Sequence, residues 1–356
     1  MKERDSNIEL LRLIAMFSIV LGHYSIHGIG NTAPGYAENG QYVAIFNYFG
    51  NLGVNLFVLI SGFYMITSKL TFRKVISLLF QVSSYSILLF IFAQFFIFGN
   101  ENISIADVLH YLFPTMYGKY WFISTYVQLI LISPFLNQVL NNSSLKNALY
   151  FIITCLFIIL YFRTTKFPLL QFILLYSVAA IIRRNLNHLT KFSPKACFSG
   201  AIALCVLFST YIFFSHICNQ GSSRFVSLMI LSLHSMGIII ASLLCFLGTI
   251  NLKIGYIKSI NFLAKSTLAV YLIHEHPLMR NFIWQDIFNT REVLLSEHLY
   301  LHYFSSTFCI FFACIFLDKF KAAIIDTPIY HLVDKLVLPT INRATVILQN
   351  SIKKQA

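Results

Sequence analysis

Residues 7–23 spell Asn7-Ile-Glu-Leu-Leu-Arg-Leu-Ile-Ala-Met-Phe-Ser-Ile-Val-Leu-Gly-His23, an apolar stretch with an arginine near one end and a histidine at the other. At about 100° and about 1.5 Å per residue, Arg12 and His23 share one stripe of a helix, roughly 16 Å apart along its axis. A charged side chain at the centre of a membrane helix costs on the order of 3 kcal/mol, so it usually faces a protein interior or a watery cavity. The stretch therefore predicts a membrane helix with two polar side chains at different depths. The two side chains are either functional groups, or an arginine that extends to the membrane surface and a histidine satisfied in the core.

The composition of the whole chain is that of a polytopic membrane protein. Of its 356 residues, 57% are hydrophobic and only 11% are charged, against roughly 25% charged residues in soluble domains. Apolar segments long enough to cross a bilayer recur along the chain and predict an all-α transmembrane bundle of about ten spans. The predicted spans are residues 8–27, 43–66, 75–98, 120–140, 147–162, 168–182, 197–216, 227–248, 261–284 and 299–318. The fifth and sixth could also form one bent unit.

The Lys and Arg residues between the spans predict the orientation in the membrane. With the N-terminus in the cytoplasm, most of the 26 Lys and Arg residues fall in inner segments, as the positive-inside rule requires. Because the number of spans is even, both termini are predicted to be cytoplasmic, in a multi-pass protein of the plasma membrane. This topology accounts for the net charge of +13 without a nucleic-acid partner. The outer segments hold only Lys119, Arg163, Lys166, Arg224 and Arg291.

Two regions are predicted along the chain. Residues 1–318 form the ten-span domain, and residues 319–356 form a basic, amphipathic cytoplasmic tail. The first span is long and carries Arg12, so it is interpreted as a retained helix and not as a signal peptide. The seven cysteines are scattered without a CxxC motif and are interpreted as packing residues.

The densest group of polar side chains lies in the ninth predicted span, within the segment Ser266 to Arg280. Side chains of this kind inside an apolar helix must pair with one another or face water, which indicates a functional site. Pro277 is expected to kink the helix at this point. The polar side chains of the segment are His274, Glu275, His276 and Arg280.

No metal site is expected. Two histidine pairs have spacings that metal sites use, but the sequence places no third carboxylate or thiolate ligand beside either pair. The two pairs are His274 with His276, and His298 with His302.

Two further stretches combine small, polar and aromatic residues. The segment Gly50 to Phe63 places Asn55 at membrane depth, and its glycines permit a close approach of neighbouring helices. The fourth predicted span opens with Tyr120-Trp121-Phe122, which is typical of an aromatic belt at the membrane surface. The three glycines of the first segment are Gly50, Gly53 and Gly62.

In this order, the motifs resemble those of the membrane acyltransferase family 3, whose members move acetyl or related acyl groups onto extracytoplasmic sugars. The resemblance covers the chain from residue 8 to about residue 284. It implies an enzyme that takes an acyl group from cytoplasmic acyl-CoA, acetyl-CoA foremost, to a carbohydrate hydroxyl reached from outside. The motifs are Arg12 to His23, Gly53-Val-Asn-Leu-Phe-Val-Leu-Ile-Ser-Gly-Phe63, Tyr120-Trp-Phe122 with Pro134, and Val270-Tyr-Leu-Ile-His274.

The resemblance also implies roles for individual residues, because Arg12 and His23 match the essential pair of the family. His23 is expected to act as the general base, since imidazole titrates near neutral pH. No permanently bound cofactor is expected, and the acceptor is a polysaccharide or its lipid-linked precursor. The expected catalytic residues are His23, Arg12 and His274; the residues for the CoA phosphates are Arg12, Arg73 and Lys74; those for the acceptor are Glu275, His276, Arg280, Asn55 and Trp121.

A proton-coupled transporter or flippase for a lipid-linked sugar is the alternative. In that case Arg12, His23, His274 and Glu275 would form a proton relay, which explains intramembrane charge equally well. The transporter predicts no dependence on acyl-CoA, whereas the transferase requires it. The sequence leaves open the acceptor sugar, the acyl group and the oligomeric state.

Overall fold

Every regular element of the computed structural model is helical. The structure describes residues 5–30, 36–99, 103–162, 168–189, 192–217 and 235–326, and these ranges contain no strand. Short π-helical segments, Tyr24–Ile29 and Phe282–Ile287, extend α1 and α13. The α-helices are α1 (Ser6–His23), α2 (Tyr36–Met65), α3 (Phe72–Phe96), α4 (Ile105–Leu112), α5 (Trp121–Asn142), α6 (Leu145–Phe162), α7 (Pro168–Arg184), α8 (Leu186–Leu189), α9 (Pro194–Ile217), α10 (Met236–Asn251), α11 (Lys258–Ala264), α12 (Thr267–His274), α13 (Pro277–Asn281) and α14 (Leu299–Lys321).

Among the described residues, five helices are long and apolar enough to cross a membrane, so the chain is a multi-pass membrane protein. The total of about ten spans and the orientation of the termini stay predictions. The helices α6 and α7 are separate elements on either side of residues 163–167, which lie outside the described residues. The five helices are Ser6–Ile29, Asn39–Met65, Phe72–Phe96, Trp121–Asn142 and Pro194–Phe214.

The antiparallel pair of α1 and α2 forms the centre of the bundle, and glycines set the distance between the two helices. A Cβ atom on Gly22 would lie 2.6 Å from the Cα of Gly50, and one on Gly53 would lie 2.4 Å from a backbone oxygen of α1. Since no side chain fits in such gaps, only glycine allows this approach. The predicted close packing at Gly50 and Gly53 is confirmed. It fixes the position of α1, which carries Arg12 and His23, against α2.

The predicted ninth span is not one kinked helix. The helix α12 ends at His274, Glu275 follows as its C-cap, and His276 is the N-cap of α13. Pro277 occupies the first turn of α13, where its missing N–H is not needed for a helical hydrogen bond. The prediction of a continuous helix kinked by Pro277 is therefore wrong, because the proline begins a new helix. The break leaves the Glu275 side chain beside α1.

The predicted boundary between residues 318 and 319 falls inside a helix. The helix α14 continues to Lys321 and is followed by a π-helical turn, Ala322–Asp326. Tyr85 of α3 donates a hydrogen bond of 2.5 Å to Asp318, which ties this end of α14 to α3. The rest of the predicted tail, residues 327–356, lies outside the described residues, so the division into two regions stays a prediction.

Candidate active site

Two cavities lie along α1. The first, of about 390 Å³, includes Arg12, and we call it the arginine cavity. The second, of about 230 Å³, includes His23, and we call it the histidine cavity. Among the described residues Ile19 alone lines both cavities. The two cavities therefore adjoin at the middle of α1, with the predicted pair of residues on opposite sides of the contact.

The arginine cavity is lined by cations and by aromatic rings. Arg12 forms an ion pair of 3.0 Å with Glu9, at the i,i+3 spacing of neighbours on a helix. Lys69 and Lys74, in the segment after α2 and the first turn of α3, also line the cavity. The ring centroid of Tyr271 lies 6.4 Å from that of His23, so this ring lies toward the histidine cavity. The aromatic lining residues are Phe57, Phe122, Tyr126 and Tyr271.

The histidine cavity is built around one buried carboxylate. The Oε2 atom of Glu275 lies 3.1 Å from Nδ1 of His23 and 3.0 Å from Nε2 of His27. Arg280 forms an ion pair with Oε1 of Glu275, and its Nε donates to the carbonyl of the same residue at 3.2 Å. The Nδ1 atom of His23 also lies 2.9 Å from Nε2 of His274. Glu275 thus joins α1 to the break between α12 and α13.

These contacts determine the tautomer of a neutral His23. The Nδ1 atom of His274 lies 2.5 Å from the carbonyl oxygen of Val270. A carbonyl only accepts hydrogen bonds, so this Nδ1 carries a hydrogen and the Nε2 of His274 is an acceptor. The carboxylate of Glu275 is an acceptor as well. Both groups facing Nδ1 of His23 are thus acceptors, which places the hydrogen on Nδ1 and the lone pair on Nε2, the form of a general base.

His27 is a member of the site that the sequence interpretation missed. It lies one turn after His23, in the π-helical segment that extends α1, and the centroids of the two rings are 5.0 Å apart. The available signal was the i,i+4 spacing of the two histidines at the end of one apolar span. Asn47 and Asn51 of α2 also line the histidine cavity. Asn51 belongs to the polar stretch that the sequence indicated, whereas Asn47 was not predicted.

The structure brings most of the predicted site residues to the two cavities. The histidine cavity is lined by four of them, His23, Glu275, Arg280 and Trp121. His274 does not line the cavity but contacts His23. Arg12 and Lys74 line the arginine cavity. Arg73, the neighbour of Lys74, lines neither cavity, so its position does not support the predicted contact with CoA phosphates.

Two predicted acceptor-binding residues lie outside both cavities. Asn55 is fully buried and accepts a hydrogen bond of 3.4 Å from Gln171 of α7. His276 is also fully buried, with Nε2 3.2 Å from the carbonyl of Ser86 and Nδ1 accepting from the backbone N–H of Leu278. Both of its ring nitrogens are therefore occupied by the backbone. Their positions do not support a direct contact with the acceptor, and the acceptor-binding roles of these two residues stay predictions.

Three side chains in and beside the histidine cavity are close enough together to hold a metal ion. Ligand atoms of His23, His274 and Glu275 lie within 4.8 Å of one another. The expectation that the protein uses no metal stays a prediction.

One of the comparisons with known proteins gives a match. The family model for acyltransferase 3, described as an acyltransferase domain, matches residues 5–318. No curated protein and no solved structure matches the chain. The matched residues include every side chain that lines either cavity.

Proposed function

The chain belongs to the acyltransferase 3 family and is a membrane acyltransferase, and on that basis we propose that it moves an acetyl group from acetyl-CoA to a sugar hydroxyl. The acceptor is an exported or cell-surface polysaccharide or its lipid-linked precursor. The observation that carries this proposal is the pair of adjoining cavities, one cationic and one containing a histidine base. They suit an anionic donor from one side and a hydroxyl acceptor from the other.

The arginine cavity is the proposed donor site. The phosphates of CoA carry negative charge, and Lys69, Lys74 and Arg12 in the cavity lining supply positive charge. The uncharged pantetheine arm can follow the aromatic lining toward Ile19. An extended arm is of the right order to cover the roughly 16 Å of rise between Arg12 and His23.

The transfer step then uses groups at the contact between the cavities. Nε2 of His23 removes the proton of the acceptor hydroxyl, whose oxygen attacks the thioester carbonyl carbon. The C–O ester bond forms, the C–S bond breaks, and the proton passes from His23 to the departing CoA thiolate. Glu275, beside Nδ1 of His23, stabilises the imidazolium that forms between these events.

Tyr271 supplies a hydrogen-bond donor for the oxyanion in this proposal. Its side chain is buried in the wall of the arginine cavity, and its ring centroid lies 6.4 Å from that of His23. Its hydroxyl oxygen accepts a hydrogen bond from the backbone of Phe122, while its own hydrogen has no acceptor among the described residues. That hydrogen can be donated to the negative charge that develops on the thioester oxygen.

The histidine cavity offers groups that suit a sugar. Trp121 lines it with an aromatic face, and Asn47 and Asn51 line it with amides. The Oδ1 atom of Asn47 has no partner among the described residues and can accept a hydroxyl hydrogen bond. Membership in the acyltransferase family favours this proposal over the transporter or flippase, which has no use for a donor site.

The test compares surface polysaccharide from a deletion strain with polysaccharide from the same strain complemented by the full chain. Proton NMR before and after mild alkali detects O-acyl esters, and isolated membranes are supplied with labelled acetyl-CoA. We expect the ester signals and the incorporated label only in the complemented strain. Equal ester signals in both strains, or label incorporation independent of the protein, would refute the proposed transferase.

A further inference from the structure

The contact between the two cavities points to a determinant of acyl-chain length. We propose that Ile19 is the partition between donor and acceptor sites and restricts the transferred group to short acyl chains. This inference rests on the proposed function, because the acyl carbon must cross from the arginine cavity to the histidine cavity during transfer. It assigns a specificity role to an apolar residue.

Ile19 is placed for this role by the register of α1. It lies four residues before His23 and seven after Arg12. Ile19 is therefore about one helical turn from His23 and about two turns from Arg12. Its exposed fraction is 3% although it borders two cavities. An acyl group that approaches the reach of His23 therefore meets this side chain.

The Ile19 side chain has little room to move aside. Its Cγ1 atom lies 3.0 Å from the position that a Cβ atom on Gly53 would occupy, so it already fills the space next to α2. A β-branched side chain in a helix is held in one preferred χ1 rotamer. The partition is consequently stiff, and its size is set by the methyl and methylene groups of one residue.

Aromatic residues of α5 and α12 also line the two cavities. Phe122 and Tyr271 line the arginine cavity, with ring centroids 5.7 Å apart. Trp121, the residue before Phe122, lines the histidine cavity. The boundary between the cavities thus also passes between two consecutive residues at the start of α5. Ile19 is the aliphatic residue at this boundary.

The experiment measures donor selectivity in membranes that contain the full chain. Membranes from the deletion strain carrying wild type, Ile19→Val, Ile19→Ala or Ile14→Ala are supplied with labelled acetyl-, propionyl-, butyryl- or hexanoyl-CoA. The readout is alkali-labile label in the polysaccharide, given as the ratio of each acyl group to acetyl. Ile14 is the matched control, because it is an exposed isoleucine of the same helix and lines neither cavity.

We expect the wild-type ratio to fall steeply with chain length. One methylene in a tight pocket changes selectivity by about 10-fold or more, so Ile19→Ala should raise the hexanoyl-to-acetyl ratio at least about 10-fold, with Ile19→Val in between and Ile14→Ala unchanged. An Ile19→Ala protein that transfers acetyl but keeps the wild-type hexanoyl-to-acetyl ratio would overturn the proposed role of Ile19. If Ile19→Ala fails to fold, an unchanged butyryl ratio in Ile19→Val overturns it. A wild type that uses no acyl-CoA refutes the proposed function itself.

Discussion

The arginine cavity and the histidine cavity share α1 but hold their charged groups in different ways. In the histidine cavity, Glu275 is 1% exposed and is held by two histidines and an arginine. In the arginine cavity, Lys69 and Lys74 are exposed, and Lys74 donates a long hydrogen bond of 3.4 Å to the carbonyl of Lys69. A rigid buried network suits chemistry at fixed positions, whereas exposed flexible cations suit attraction of a mobile anion.

Because of this difference, substitutions in the two cavities should change different kinetic constants. A group that acts only in the transition state lowers kcat when it is removed, whereas a group that binds the donor throughout raises its KM. Substitutions in the histidine cavity should therefore lower kcat for acyl transfer with little change in the KM for acyl-CoA. Substitutions of the exposed lysines should raise the KM for acyl-CoA with little change in kcat.

The largest effect is expected for His23→Ala. Loss of a general base costs about 10²- to 10⁴-fold in rate, and we expect about 10³-fold in kcat, measured as label transferred from acetyl-CoA at equal protein levels. His298→Ala serves as the control, since His298 is an exposed histidine outside both cavities. Activity within several-fold of wild type in the His23 variant would show that His23 is not the general base.

Glu275→Gln should have the next largest effect. The amide cannot stabilise an imidazolium as a carboxylate does, and it leaves the Arg280 guanidinium without its anionic partner. We expect kcat to fall by about 10²-fold, a loss of the order seen when one electrostatic contact is removed from an active site, with the KM for acetyl-CoA within about two-fold of wild type. Glu297→Gln changes an exposed carboxylate and should match the wild type. Equal effects of the two substitutions would contradict the role of Glu275.

Lys74→Gln should have the smallest effect and the opposite kinetic signature. An exposed cation contributes on the order of 1 kcal/mol to anion binding, so the KM for acetyl-CoA should rise about five-fold at low salt with kcat unchanged. The increase should shrink as ionic strength rises, because salt screens exposed charges. Lys146→Gln, an exposed lysine that lines neither cavity, is the control. A salt-independent loss of kcat would count against a donor site at this place.

The sequence predicts α1 well because its two polar side chains are costly in a membrane and their helical spacing is unambiguous. The glycines at Gly50 and Gly53 are equally informative, since close helix packing is a common reason for glycine inside a span. The break after His274 could not be found in this way. A proline is compatible both with a kink and with the first turn of a new helix, and only tertiary contacts decide between them.

One physical reason explains why two predicted site residues line neither cavity and one lining histidine was not predicted. In a helix that is buried on several sides, a polar residue can face a cavity or the core, and its periodicity does not tell which. Asn55 and His276 face the core, where they contact Gln171 and backbone atoms respectively. His27 faces the cavity because the π-helical turn after His23 carries the chain onward beside Glu275.

Donor binding and chemistry are proposed to occupy separate cavities on one helix. Isothermal titration of the purified full-length protein with CoA tests this separation, with wild type, His23→Ala and Arg12→Gln compared in one buffer. We predict that His23→Ala binds CoA with the wild-type Kd although its kcat is about 10³-fold lower, and that Arg12→Gln weakens binding by about 10-fold, the equivalent of one charge-assisted hydrogen bond. Weakened CoA binding in His23→Ala together with wild-type binding in Arg12→Gln would contradict the account.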